Sequence, residues 1–147
     1  MKRSTRSPLR RGTTSVAERC VDAVDVPLGG LGAAVAAADV VVLEACATRT
    51  DAVMSVAGSL AAAAVAKVAG VPVWAAVGVG RALPDRVFDA LVSRWDVSDE
   101  PWEAEEEIVP IDLVETIIGP DGPIPASALA SLIDCPIAPE LFKADIT

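Results

Sequence analysis

Residues 38–77 read ADVVVLEACATRTDAVMSVAGSLAAAAVAKVAGVPVWAAV, and this stretch decides the fold class. An apolar run, Val40-Val41-Val42-Leu43, stops at Glu44-Ala45-Cys46. A polar loop follows, then an alanine-rich segment through Lys67, a glycine at 70 and a second apolar run from Val71 to Val77. Apolar runs without alternation are strands buried on both faces, and such strands belong to parallel sheets with helices above and below. The reading is a strand–loop–helix–strand unit, with strands at 40–43 and 71–77 and a helix over 51–69. Thr50 or Asp51 can cap that helix, its side-chain oxygen accepting an orphan backbone N–H. The expected fold class is α/β, a mainly parallel, Rossmann-like sheet flanked by helices. Ligands of such sheets bind where strand carboxyl ends meet helix starts. Glu44 to Gly58 is therefore the first place to look for chemistry.

Outward from this unit, Val21–Val26 alternates apolar and acidic residues as a short strand, and Leu31–Ala38 reads as a helix. Gly78-Val79-Gly80-Arg81 forms a loop after the second strand. Pro84 can start a helix over Asp85–Trp95, where Val87, Phe88, Leu91, Val92 and Trp95 recur at helical spacing. Residues 96–107 form an acidic loop with Trp102 as its anchor. Asp112–Ile118 and Ser127–Ile133 read as two short helices, or a helix and a strand, separated by Pro120, Gly122, Pro123 and Pro125. The expected organisation is a basic, poorly ordered start over 1–20, an α/β domain over 21–135 and a proline-broken tail over 136–147.

The 147 residues suit one domain. Charge is divided unevenly. The first twenty residues carry Lys2, Arg3, Arg6, Arg10, Arg11 and Arg19 against Glu18, leaving six basic and twenty acidic residues for the remainder. An acidic body argues against nucleic acid, whose phosphates need clustered Lys and Arg. A membrane span needs about 20 apolar residues; Leu60–Val77 is interrupted by Lys67, Gly70 and Pro72, so no membrane partner is expected. Three scattered cysteines, Cys20, Cys46 and Cys135, and no histidine offer no zinc ligand set and no Cys-His or Ser-His nucleophile. A reducing cytoplasm fits them. Glu103, Glu105, Glu106 and Glu107 invite a hard cation, but a charge run of this kind is ordinarily a solvated loop. No metal and no cofactor is expected.

The order of these residues resembles the family of initiation factor 2B alpha, beta and delta subunits. That family also includes aldose–ketose isomerases acting on methylthioribose 1-phosphate and ribose 1,5-bisphosphate. The resemblance runs from about Thr5 to Pro125 and covers only the carboxyl-terminal, Rossmann-like part of a typical member. Ser7-Pro8-Leu9-Arg10-Arg11-Gly12 is similar to the family's phosphate-side loop, Arg-Pro, three residues, Gly, with Ser7 in the arginine position and Arg6 beside it. Glu44-Ala45-Cys46 stands where the family has Gly-Ala-Asp, the aspartate being the isomerases' acid/base group. Ser55-Val56-Ala57-Gly58-Ser59 is similar to Asn-Lys-x-Gly-Thr at the next helix start. Val71-Pro72-Val73-Trp74 matches the following strand, Arg81 falls where a lysine is frequent, and Gly119-Pro120 replaces Thr-Glu. Scaffold positions match; the polar positions mostly differ.

The resemblance implies ligand-binding candidates at Arg6, Ser7, Gly12, Ser55, Gly58, Ser59 and Arg81, and catalytic candidates at Cys46 and Glu44. Each has a plainer reading. Cys46 also reads as a small inert thiol, Gly58 as a packing residue and Gly78–Arg81 as an ordinary turn. The leading expectation is a diverged, non-catalytic domain that binds a sugar phosphate or nucleotide or serves as an assembly subunit. A homodimer or related subunit is the implied partner. The alternative is an aldose–ketose isomerase acting on a ribose 1-phosphate derivative.

Overall fold

The computed structural model describes residues 23–95 and 100–133. Expectations for the basic start with Arg6, Ser7 and Gly12, for residues 96–99 and for the tail lie outside these residues. The regular elements are α1 (Leu31–Ala36), β1 (Val41–Glu44), β2 (Ala47–Arg49), β3 (Ala52–Val56), α2 (Ser59–Ala69), β4 (Val73–Ala76), α3 (Asp85–Trp95), β5 (Glu106–Pro110), β6 (Thr116–Gly119) and β7 (Gly122–Pro125).

Four strands form a mixed sheet in the order β1-β4-β6-β7, the first three parallel and β7 antiparallel. Strand side chains alternate between faces. Leu43, Val73, Ala75 and Ile117 are buried in one core with Ala62, Ala63 and Ala66 of α2. Three alanines on the helix let its backbone come close to the sheet. Val42 and Trp74, alternate with these core residues, remain 56% and 37% exposed. The strands are thus apolar on both faces, as their sequence says, but among the described residues only one face is buried. No helix among the described residues is long and apolar enough to cross a membrane.

The helix expected over 51–69 is two elements, because a short apolar run cannot tell strand from helix by periodicity alone. A partner distant in sequence decides it. Strand β3 is the centre of a second, antiparallel sheet in the order β2-β3-β5, with Val53 opposite both Thr48 and Val109. Thr50 and Asp51 form the β2–β3 turn rather than a helix cap. The break before α2 is Gly58, at φ 93°. That left-handed conformation is natural for glycine and rare for other residues. The first helical bond then runs from the Ala62 N–H to the Gly58 carbonyl at 2.9 Å.

Helix α3 matches its expected span and packs Phe88, Leu91 and Val92 with Ala47 and Met54 of the second sheet. Arg49 clasps this unit, donating from Nε to Asp51 Oδ1 at 2.6 Å and from Nη1 to Asp89 Oδ1 at 2.7 Å, while lying over the Phe88 ring. Three further expectations change. Of the strand expected over Val21–Val26, residues 21–22 lie outside the described residues and 23–26 form neither helix nor strand, since no neighbouring strand among the described residues shares their hydrogen bonds. Trp102 is 79% exposed on a 3-10 turn over Pro101–Glu103 rather than packed as an anchor among the described residues. Residues 116–125 form the β6–β7 hairpin, flanked by 3-10 turns at Ile111–Leu113 and Ala126–Leu132.

Candidate functional site

A cleft of about 360 Å³ opens at the carboxyl ends of the three parallel strands. Its walls are Glu44 from β1, Gly78, Val79 and Arg81 from the loop after β4, and Ile118 and Pro120 from the end of β6. This is where open α/β sheets receive ligands, because the loops there diverge and leave a crevice.

Arg81 is placed by its backbone. Its N–H donates to the Gly78 carbonyl at 3.2 Å, closing a turn in which Gly80 has φ 75°. A positive φ in the third position of such a turn favours glycine. The returning chain then docks on β2: Thr48 N–H donates to the Arg81 carbonyl and Leu83 N–H to the Thr48 carbonyl, each at 2.8 Å. With its backbone fixed, the Arg81 side chain runs back past Gly78 to the end of β1. Nη1 donates to the Ala45 carbonyl at 2.6 Å and to Glu44 Oε1 at 3.2 Å. The Arg81 and Glu44 side chains are 40% and 75% exposed. An exposed pair of this kind adds about 0–1 kcal/mol to stability, so its interest is chemical. Among the described residues, no partner is bonded to Nε or Nη2 of Arg81. That edge is a planar donor pair suited to a phosphate or carboxylate.

The other candidates are drawn into the scaffold. Ser55 is fully buried, its Oγ donating to the Glu44 carbonyl at 2.8 Å and hydrogen-bonded to Ser59 Oγ at 2.9 Å. These hydroxyls join β3 and the start of α2 to the last residue of β1, directly behind the cleft. The Leu60 N–H near the start of α2 donates to Glu107 Oε1 from β5. A carboxylate already meets the positive end of that helix. Ser55, Gly58 and Ser59 are therefore beside the cleft rather than lining it. Removing the Ser55 hydroxyl is expected to cost about 1–3 kcal/mol for one buried and one part-buried hydrogen bond. Urea unfolding of Ser55→Ala measures this, and unchanged stability would show that the two bonds hold nothing.

Cys46 follows Glu44 by two residues but is not among the cleft residues. It is partly buried against Ala47, Met54 and Phe88. Arg49, in the strand that follows it, is committed to Asp51 and Asp89. Of the glutamate run, Glu106 and Glu107 belong to β5. Among the described residues no three metal-binding side chains cluster. Sequence reasoning singled out Glu44 and Arg81 separately; it did not foresee that the Ala45 carbonyl would join them, or that Ile118 and Pro120 would form the third wall.

No protein-family model matches the sequence, and no curated protein does. Solved structures do. The chain is similar to eIF2B beta from Chaetomium thermophilum, at 24% identity and TM-score 0.60, over 74% of this chain and 31% of that one. It is similar to a chain of the tetrameric eIF2B-beta2-delta2 complex from C. thermophilum, at 26% identity and TM-score 0.56, over 70% of this chain and 32% of that one. The eIF-2B subunit delta from A. fulgidus matches at 18% identity and TM-score 0.62, over 77% and 38% of the respective chains. The chain has an eIF2B-like α/β fold, and its match spans about a third of the length of these structures.

Proposed function

We propose that this chain is a diverged member of the initiation factor 2B family, a non-catalytic domain that binds a small phosphorylated sugar or nucleotide in the cleft between Glu44 and Arg81. The observation that carries this reading is the Arg81 guanidinium. It is held at the strand ends by the Ala45 carbonyl, and Nε and Nη2 have no hydrogen-bond partner among the described residues. Glu44 beside it accepts hydrogen bonds from ligand hydroxyls, and the Val79 and Ile118 walls supply apolar contact. What counts against the isomerase alternative is the position of Cys46, packed with Met54 and Phe88 away from the pair. The unpaired Cys46 thiol suits the cytoplasm.

A thermal-shift titration with ribose 5-phosphate and nucleoside monophosphates tests the proposal. At about 100 times the dissociation constant, binding adds about 2.7 kcal/mol to stability. A saturable rise in Tm is expected; a flat response to all of them would remove the reading.

A second role, assembly, is favoured by the uncovered sheet face with Val42 and Trp74. Apolar patches of this sort mark interaction surfaces. The partner proposed is a second copy or a related subunit, as in the tetrameric complex that one similar structure belongs to. Light scattering on the same sample reads this directly, with a concentration-dependent mass expected.

A further inference from the structure

We infer that Glu44 is the specificity determinant of the cleft, admitting anions that carry hydroxyl groups and discouraging bare ones. This rests on the binding site proposed above. Glu44 Oε1 and the Ala45 carbonyl share one nitrogen of the Arg81 guanidinium, Nη1, at 3.2 and 2.6 Å. An anion therefore takes the opposite edge, Nε and Nη2, and lies one guanidinium away from a carboxylate. The Glu44 side chain is 75% exposed, faces the same cleft and has no other described donor. Its remaining acceptor sites point a negative charge at whatever occupies that space.

The consequence differs between a bare dianion and a phosphorylated polyol. Sulfate is a dianion without a hydroxyl at neutral pH and brings nothing to satisfy Glu44, so it meets net repulsion. A phosphorylated polyol sets its phosphate on Arg81 and turns hydroxyl donors to Glu44, making hydrogen bonds to a charged acceptor that are stronger than neutral ones. Glu44 thus weakens the first ligand and strengthens the second. The ordinary reading of an acidic residue beside an arginine, a surface ion pair, predicts no such discrimination.

Calorimetric titration of the whole chain and of Glu44→Gln with sulfate and with ribose 5-phosphate decides this. Glutamine keeps the shape and an acceptor but removes the charge. Its sulfate affinity is expected to rise about fivefold, which is about 1 kcal/mol at 1.4 kcal/mol per tenfold. Ribose 5-phosphate is expected to bind no better or more weakly, so the preference for the sugar phosphate collapses. If both proteins bind the two probes in the same ratio, the inference is overturned while the binding site stands. If the parent chain binds neither probe, the site and the inference fall together. An unfolding midpoint measured on each protein without ligand confirms that both are folded, as expected for a change at a side chain this exposed.

Discussion

Replacing Ile117 by alanine is expected to lower the stability of the domain by about 2–5 kcal/mol, the range for removing a buried isoleucine side chain. Ile117 is fully buried in β6, paired with Ala75 of β4 on one side and Ile124 of β7 on the other. It belongs to the core formed with α2 and with Leu129, which is also fully buried. Its neighbours are small or fixed in strands, so the space left by the lost carbons cannot close, and the cavity adds to the lost transfer free energy. Against a typical total of about 5–15 kcal/mol, this is the largest single-residue loss expected. Urea unfolding measures it, with an unchanged slope showing that the same surface is exposed. Val42→Ala, on the uncovered face, is the control: measured at a concentration where light scattering reads the monomer, it is expected to change stability by about 0.5 kcal/mol or less. Equal losses at both positions would mean that the two faces of the sheet are not distinguished by packing.

That contrast marks what was legible in the sequence. The strands around Leu43 and Ala75 were visible because four or more consecutive apolar residues, bounded by Asp39 and Glu44 or by Gly70 and Gly78, leave little alternative. Helix α3 was visible because Phe88, Leu91 and Val92 recur at helical spacing behind Pro84. Strand β3 was not. Ala52-Val53-Met54-Ser55-Val56 has no pattern of its own that excludes a helix, and its state is set by Glu106–Pro110, far along the chain. The β6–β7 hairpin was hidden for a similar reason, since Pro123 and Pro125 lie in its closing strand, where proline is tolerated only at an edge.

The site was half legible. A strand end followed by a glycine-bearing loop indicated the place, and Glu44 and Arg81 were singled out from their neighbourhoods. Their meeting depends on the Thr48 backbone, which seats residues 81–83 against β2. No local motif encodes that docking. Ser55 and Ser59 have the composition of a phosphate loop, yet each finds the other first, and Ser55 the Glu44 carbonyl as well. Hydroxyls serve scaffold and ligand equally well by type, and only position separates the two uses.

The second large effect is expected at Arg81. Arg81→Ala should weaken ribose 5-phosphate binding by about 10- to 150-fold, the equivalent of the roughly 1.5–3 kcal/mol carried by hydrogen bonds to charged groups. The loss is large because Arg81 is the cation lining the cleft, and removing it leaves Glu44 facing the phosphate without compensation. The damage stays local. The bonds that seat this loop on Thr48 come from the backbone and survive the substitution. The folded state loses one exposed ion pair and the donor to the Ala45 carbonyl, about 1–2 kcal/mol together. Arg81→Lys separates charge from geometry: a lysine keeps the cation but offers no planar fork, so binding should fall between the parent and the alanine variant. Titration calorimetry at a temperature well below the Tm of all three proteins reads the series. An alanine variant that binds as tightly as the parent would move the ligand out of this cleft altogether, and with it the reason for regarding the ends of β1, β4 and β6 as the working face of the domain.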